Sequence, residues 1–372
     1  MPTNPSTSIN RLVLIGNGFD LAHKMKTSYG DFILWYFQKS LDIAKSSYAP
    51  SSERRNIKLF EDGLMNITIN PSLQGDKPID MELNNSREIK EFVNPAIDFY
   101  KPHLIHGNIK SDFFRSLTND FFSKNWVDIE NHYYHQLTKI INPAKSHDNP
   151  RSEVDFVKLK KLNNDFDLIK KELEIYLSTI DQPKVIDNLG QSIYEDNGVI
   201  NPPYFPEETL GNVMFLNFNY TSTPEIYKKD KTDIIYIHGK LNDVKNPIIF
   251  GYGDERDGTY DILEKANNPA VFPHIKSFDY FKTNNYTRLL AFLESEYDVY
   301  IMGHSCGLSD RTLLSTIFEH ENCRLIKIFF YENMARYRET TYEISRHFTS
   351  KAEMRRKVIN YSDCVPMPQL TP

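Results

Sequence analysis

The sequence predicts an α/β protein, built as a doubly wound, mostly parallel sheet with a helical insertion. An apolar run at residues 11–15 stops at a glycine turn and is followed by helical sequence. Between residues 159 and 180, apolar residues recur at spacings of three and four, which indicates a buried helix face. Beyond residue 205 the chain returns to short apolar runs that end in polar residues, a pattern typical of buried parallel strands.

The first half of the chain divides into a strand-turn-helix unit, a polar stretch and a long helical region. The strand at 11–15 precedes helical segments at 21–25 and 29–37. Residues 50–90 are polar and punctuated by Pro, Gly and Asn, which predicts loops or short edge pieces. Residues 107–182 are predicted to be helical, with the apolar stripe forming the core of a helical bundle.

The second half predicts the rest of the sheet and its covering helices. The predicted strands are 213–216, 234–237, 248–250, 299–302 and 325–331. The predicted helices are 287–295, 311–319 and 333–347. The simplest arrangement is a discontinuous Rossmann-like nucleotide-binding domain, residues 9–60 and 205–372, with a helical insertion subdomain at residues 90–204.

The composition describes an ordinary globular protein and disfavours several function classes. Of 372 residues, 44 are Lys or Arg and 50 are Asp or Glu, so the net charge is −6 and nucleic acid is not an expected partner. No apolar stretch approaches the roughly 18 residues of a membrane span, and the N-terminus lacks a secretory pattern, so we expect a cytoplasmic protein without membrane contact. The three Cys residues form no C-x-x-C pair, so we expect no bound metal.

Ligands of an open α/β sheet bind beyond the carboxyl ends of its strands, so the residues there are the candidates for a site. The first such end comprises Gly16, Asn17, Gly18, Phe19 and Asp20. Its glycines allow close backbone approach, and the following helix N-terminus offers N–H groups to phosphate. A plain turn is the alternative, because the fingerprint G-x-G-x-x-G has Leu21 at its third glycine position. Asp20 either receives a ribose hydroxyl or caps the helix.

The second and third strand ends carry amides and a histidine. Asn217 and Asn219 follow the strand at 213–216, and their amides offer both donor and acceptor to a ribose or a water. His238 and Gly239 follow the strand at 234–237, where the glycine leaves the imidazole open to a ligand. The pKa of a histidine lies close to working pH, which suits a general base. A structural histidine is the alternative.

The fourth strand end is a second glycine-polar loop between a strand and a helix. It contains Gly303, His304, Ser305 and Asp310, which we expect to take part in ligand binding. The alternative is that Ser309 or Asp310 caps the helix that starts near residue 311.

The order of these segments resembles the AbiH family of bacterial abortive-infection (anti-phage) proteins. The resemblance is carried by LVLIGNGFDLAHKMKTSYGDF, WVDIENHYY, LNFNYT, IHG and IMGHSCGLSD, in that order. It covers most of the chain, and GNGFDLAH together with GHSCGLSD is its most specific pair. The same ends are similar, more distantly, to the sirtuin-like NAD-binding fold.

The sirtuin-like resemblance implies roles for individual residues. Gly16, Asn17 and Gly18 would hold the phosphates of NAD. Asn217 would lie beside the nicotinamide ribose, and His238 would match the catalytic histidine. The adenosine half would contact Gly303 and Ser305. Asn219 stands where sirtuins carry Asp, and their four-cysteine zinc module is absent, so the resemblance implies NAD destruction and not protein deacylation.

The expected function is therefore an anti-phage effector that binds NAD and hydrolyses it at the nicotinamide ribosyl bond. Nicotinamide leaves as a neutral base, so the paired carboxylates of ordinary glycoside hydrolysis are not required. Asn217 would orient ribose or water, and His238 would accept the proton. The alternatives are a non-catalytic sensor of NAD or ADP-ribose and an effector that targets nucleic acid. A phage-derived trigger and a second copy of the chain are the further partners to expect.

Overall fold

The computed structural model describes residues 8–47, 57–74, 79–82, 103–118, 126–141, 155–195, 209–256, 258–266 and 268–371. The chain divides into two compact units. The first unit is Met1–Thr27 with Ile180–Pro372, and the second is Ser28–Thr179. The second unit thus includes residues 28–60, which the sequence analysis placed with the nucleotide-binding domain.

Both units contain strands and helices. The strands are β1 (Ser8–Ile15), β2 (Ile57–Glu61), β3 (Met65–Gln74), β4 (Ile79–Glu82), β5 (His103–Ile109), β6 (Thr209–Asn217), β7 (Thr232–Tyr236), β8 (Tyr297–Met302) and β9 (Cys323–Phe329). The helices are α1 (Asn17–Ala22), α2 (Tyr29–Ser47), α3 (Asp112–Thr118), α4 (Trp126–Ile141), α5 (Phe156–Leu177), α6 (Leu189–Tyr194), α7 (Tyr260–Lys265), α8 (Lys276–Asp279), α9 (Asn285–Leu293), α10 (Arg311–Phe318), α11 (Met334–Ser345) and α12 (Lys351–Lys357).

A parallel sheet forms the centre of the first unit. Among the described residues it has five strands in the order β7-β6-β1-β8-β9, and every neighbouring pair is parallel. Counted along the chain this order is 3-2-1-4-5, the same as five strands of a doubly wound dinucleotide-binding sheet. The order reverses between β1 and β8. The predicted α/β class and parallel sheet are confirmed.

The alternation of side chains along β1 explains why both faces of this sheet are covered. Leu12 and Leu14 point into one apolar core, which α9, α10 and α11 complete. Val13 and Ile15 point into a second core on the other face, which α1 and α6 complete. Since all four side chains are fully buried, β1 is fixed in register at the middle of the sheet.

The second unit contains a sheet that the sequence analysis did not predict. Its strands lie in the order β2-β3-β5-β4, antiparallel except for the β4–β5 pair. The prediction of loops or short edge pieces over 50–90 agrees with β2 and β4, which are short edge strands, but was wrong for the central strand β3, and the helix predicted from residue 107 was wrong where β5 ends. Met65, Ile67 and Ile69 are buried at alternate positions of β3. This period-two pattern is diluted by the polar residues between them, and the polar composition concealed it.

The helical stripe of the second unit is confirmed. Helix α5 begins after Asp155, whose side chain accepts a hydrogen bond from the N–H of Lys158. Its buried face includes Phe166, whose ring stacks on Tyr133 of α4 with centroids 4.3 Å apart. The stripe is therefore part of a packed core, as predicted.

Two local predictions in the first unit were wrong. Residues 248–250 are buried, but they belong to no strand: the N–H of Ile249 donates to the carbonyl of His238 at 2.7 Å, and its carbonyl accepts from the hydroxyl of Tyr220 at 2.9 Å. These three apolar side chains are buried because the segment packs against the loops that contain Tyr220 and His238. The first helix, predicted at 21–25, begins at Asn17 inside the glycine turn.

No helix within the described ranges has both the length and the apolar character needed to cross a membrane.

Candidate functional site

The predicted strand ends meet at the carboxyl edge of the parallel sheet. Ile15 pairs with Asn217, and Asn217 pairs with Tyr236, so the ends of β1, β6 and β7 lie at the same level. An isolated bridge between Ile15 and Gly303 brings the loop after β8 to the same place. The edge includes the point where strand order reverses, which is where doubly wound folds bind nucleotides.

Glycine is required where the first and fourth loops touch. The N–H of Gly18 donates to the carbonyl of Gly303 at 2.9 Å, and a Cβ added to Gly16 would lie 2.5 Å from the Cα of His304. Gly303 itself has φ +74°, and a Cβ there would lie 2.1 Å from the N of Phe19. The N–H groups of Gly16, Gly18 and Phe19 all donate to backbone carbonyls. Loop packing thus explains these glycines, while phosphate binding at Asn17 and its neighbours stays a prediction.

Gly303→Ala should destabilise the first unit. The left-handed backbone alone costs about 1–3 kcal/mol with a side chain, and the close approach to Phe19 adds to it. Gly258→Ala is the matched control, because a Cβ at Gly258 has no neighbour within 4 Å and its φ is not in the left-handed range. Urea unfolding followed by circular dichroism measures both variants. An unchanged unfolding free energy for Gly303→Ala would show that the two loops are not in contact.

The amides of the second strand end hold the loops together. Asn217 is fully buried; its Nδ2 donates to the carbonyl of Thr221 at 3.0 Å, and its Oδ1 accepts from the N–H of Asn219 at 3.1 Å. The Nδ2 of Asn219 donates to the carbonyl of Gly16 at 2.9 Å. These bonds attach the second loop to the first. Contact of either amide with a ribose or a water stays a prediction.

Asp20 does not cap α1. Gly16 is the N-cap, and the Oδ2 of Asp20 accepts a hydrogen bond from the hydroxyl of Thr221 at 2.6 Å. Its Oδ1 is buried without a hydrogen-bond partner among the described residues. Burial raises the pKa of Asp20 to about 6, against the lowering effect of the hydrogen bonds from Thr221 and its neighbours. Of the two alternatives for Asp20, the structure leaves open the one in which it meets a ligand.

Asp20→Asn should make the first unit less sensitive to pH. The folded pKa of Asp20 is about 6 and lies above the ordinary value of 3.8, so folding takes up a proton between these values. The contribution to stability is full below about pH 4 and is lost as pH rises through 6, by about 3 kcal/mol. Urea unfolding of both proteins from pH 4 to 8 tests this. The prediction is wrong if the difference between them is constant over that range.

A buried cluster of charged and titratable side chains surrounds Asp310. The Oδ1 of Asp310 lies 2.9 Å from the Nζ of Lys276 and 3.1 Å from the Nε2 of His238. Its Oδ2 lies 3.7 Å from the Nε2 of His304. All four residues are nearly inaccessible, with 1% to 7% of their surface exposed. The structure therefore brings together three predicted site residues and a lysine that was not predicted.

The charges of this cluster determine which groups are ionised. Burial would raise the pKa of Asp310, but Lys276 and then His238 outweigh it and hold the pKa well below its usual range. Burial lowers the pKa of His304 to about 4. Burial and the positive charge of Lys276 also lower the pKa of His238, against the opposing effect of Asp310. At neutral pH the cluster thus holds a carboxylate, an ammonium and two neutral imidazoles.

Aromatic rings fix the two imidazoles. The ring of Phe218 meets His238 edge-on with centroids 5.1 Å apart, and it lies 4.0 Å from the ring of His304. The hydroxyl of Tyr280 lies 3.4 Å from the Nε2 of His238. The Nδ1 of His304 accepts the N–H of Cys306 at 3.0 Å, so its proton is on Nε2 and faces Asp310. The imidazole of His238 is thus enclosed between a carboxylate and aromatic rings.

The other predicted residues lie around this cluster. Ser305 is exposed, and Asn17, Gly18 and Gly303 are partly exposed, whereas Phe19 packs into the core of the first unit. Gly239 has φ +85°, which lets the chain turn directly after His238. Lys276 and Tyr280 were missed because their segment follows no strand of the sheet, so no rule about strand ends points to them.

Within the described parts of the chain, no group of three or more His, Cys, Asp or Glu side chains is arranged to bind a metal ion. The thiol of Cys306 is buried, and burial raises its pKa above the usual range.

The fold and site define an α/β protein with a parallel sheet in doubly wound order and a polar site at its carboxyl edge. A family model described as bacteriophage abortive infection AbiH matches residues 12–332. The chain belongs to the AbiH family, which indicates a role in the abortive-infection response of bacteria to phage. Comparisons with curated proteins and with solved structures give no match.

Proposed function

We propose that this protein is an effector of phage defence that binds NAD at the carboxyl edge of the parallel sheet and hydrolyses its nicotinamide ribosyl bond. One observation carries the proposal: a histidine at the point of the sheet used for nucleotides is paired with an ionised aspartate, at 3.1 Å. His–Asp pairing is a common way to orient an imidazole that accepts a proton. The polar residues at the strand ends form the site, and membership of the AbiH family supports a role in phage defence.

The chemistry requires few groups. The bond from ribose to the cationic nicotinamide breaks with both electrons going to the ring, so nicotinamide leaves neutral and needs no acid. Water adds to the ribose carbon, and its proton passes to His238, directly or through a ribose hydroxyl. General-base catalysis of this kind contributes typically 10²- to 10⁴-fold. Asn217 lies one strand away from His238 in the sheet and is proposed to orient the ribose or the water.

The glycine-rich loops are proposed to hold the rest of NAD. Asn17, Gly18, Gly303 and Ser305 are the accessible members of the predicted set. The resemblance to sirtuins implies phosphates at the first loop and the adenosine half at the fourth. Activity at this site would deplete the cytoplasmic NAD pool of an infected cell. A phage-derived trigger, or assembly of several copies, would start it.

A second candidate is a sensor that binds NAD or ADP-ribose without cleaving it. The burial of the reactive groups favours this alternative: His238 is 5% exposed and Asn217 is fully buried, so a ligand must displace covering side chains such as Tyr280 to reach them. The sensor shares the site and the ligand class with the proposed enzyme.

A thermal-shift titration with NAD and with ADP-ribose tests the proposed site. We expect a saturable rise in melting temperature with NAD, since a ligand that binds the folded state stabilises it. Adenosine alone, which lacks the phosphates and the second ribose, is the control and should bind far more weakly. No shift with either NAD or ADP-ribose at millimolar concentration would contradict both the enzyme and the sensor.

A further inference from the structure

Lys276 and His238 converge on a single oxygen. The Nζ of Lys276 and the Nε2 of His238 both contact the Oδ1 of Asp310, at 2.9 Å and 3.1 Å. Lys276 is 1% exposed, and an ammonium is buried to this degree only at large cost unless it is paired. The lysine thus holds the carboxylate in place, and the carboxylate holds the imidazole.

The opposite oxygen of Asp310 also faces a donor. The Nδ1 of His304 accepts the N–H of Cys306, so the Nε2 of His304 carries a hydrogen and points at Oδ2 over 3.7 Å. Asp310 also occupies the N-cap position of α10, but its side chain makes no capping hydrogen bond there. The three side chains that face its two oxygens, Lys276, His238 and His304, all favour an ionised carboxylate in one orientation.

Lys276 and Asp310 act on His238 with opposite sign. The negative charge of Asp310 favours an imidazolium, and the positive charge of Lys276 opposes it. The groups that face His238 from the elements packed around it are Asp310, Lys276, His304, Tyr280 and the backbone carbonyl of Phe218. Of these side chains, Lys276 alone carries a positive charge at neutral pH.

We propose that Asp310 and Lys276 are positioning residues for His238: Asp310 fixes the direction of the imidazole through Nε2, and Lys276 anchors Asp310 and keeps the ring unprotonated. The importance of this arrangement for catalysis rests on the proposed function, since the imidazole of His238 must be neutral to accept a proton from water. The geometric claim stands apart from the reaction and can be measured without it.

The first experiment follows His238 by NMR in protein labelled with ¹³C at the histidine ring, with the signal assigned by its loss in His238→Asn. Lys276→Met should raise the pKa of His238 by about one unit, and Asp310→Asn should lower it by a similar amount. Lys327→Met is the matched control: it removes another fully buried ammonium, on β9, and should leave the pKa of His238 where it is. Lys276→Gln, which keeps a polar partner for Asp310, serves if Lys276→Met does not fold.

The second experiment measures the pH profile of nicotinamide release. The acidic limb of kcat should move to higher pH in Lys276→Met and to lower pH in Asp310→Asn, in step with the NMR values. Opposite NMR shifts without any nicotinamide release, in reactions that contain an extract of phage-infected cells, would support the positioning pair and contradict the proposed reaction. Release by the wild type with unmoved NMR signals would overturn the positioning pair alone.

Discussion

His238→Ala is expected to lose nicotinamide release by 10²- to 10⁴-fold while the protein remains folded. The loss follows because the imidazole is the proposed proton acceptor for the attacking water. The fold should persist because Asp310 keeps its buried partner Lys276 at 2.9 Å when the imidazole is removed. A coupled assay for nicotinamide, together with the melting temperature of each protein, measures both parts of this prediction.

His135→Ala is the matched control for this substitution. His135 is exposed on α4 in the second unit, so its removal deletes an imidazole without touching the site. The control should retain full activity. If His238→Ala releases nicotinamide at the wild-type rate, His238 is not the base, and the site must work through other groups.

Asp310→Ala should cost about 3–5 kcal/mol of unfolding free energy, the largest effect on stability that we expect from a site residue. The truncation would leave Lys276, which is 1% exposed, as a buried charge without its carboxylate. The double variant Lys276→Met with Asp310→Ala should recover most of the loss, because an apolar replacement of a buried pair is often close to neutral. Urea unfolding compares the free energies of the variants through their midpoint concentrations, provided that the dependence of the unfolding free energy on urea concentration is unchanged.

A surface pair provides the control for that cycle. Glu353 and Arg356 are an exposed pair on α12, so Glu353→Ala should change the unfolding free energy by less than about 0.5 kcal/mol. A small effect of Asp310→Ala, similar to that of Glu353→Ala, would mean that water reaches Lys276. The buried cluster would then not exist in solution in the form described above.

The position of the site could be predicted from sequence because parallel strands present their carboxyl ends at one edge. Apolar runs gave all five strands of the parallel sheet, with one false strand at 248–250, and the polar residues after them gave His238 and Asp310. These two residues are 72 positions apart in the chain, and their side chains meet at 3.1 Å where two loops come together. No periodicity or spacing encodes such a contact.

The parts that could not be predicted share a physical cause. Lys276 is a charged residue, and hydropathy alone would place a lysine at the surface, yet it is 1% exposed. The burial of Lys276 is compensated by its ion pair with Asp310, a contact between residues far apart in the sequence. Strand β3 was missed for a similar reason, since its alternating apolar residues are surrounded by polar ones and are selected by pairing with β2 and β5.

The most direct test of the account is nicotinamide release from NAD by the purified protein, assayed with and without an extract of phage-infected cells. The extract supplies the trigger that an abortive-infection effector is expected to need. We predict release in the reaction that contains extract, and no release when His238→Ala replaces the wild type. No release by the wild type under either condition, with NAD left intact, would contradict the proposal that this site hydrolyses NAD.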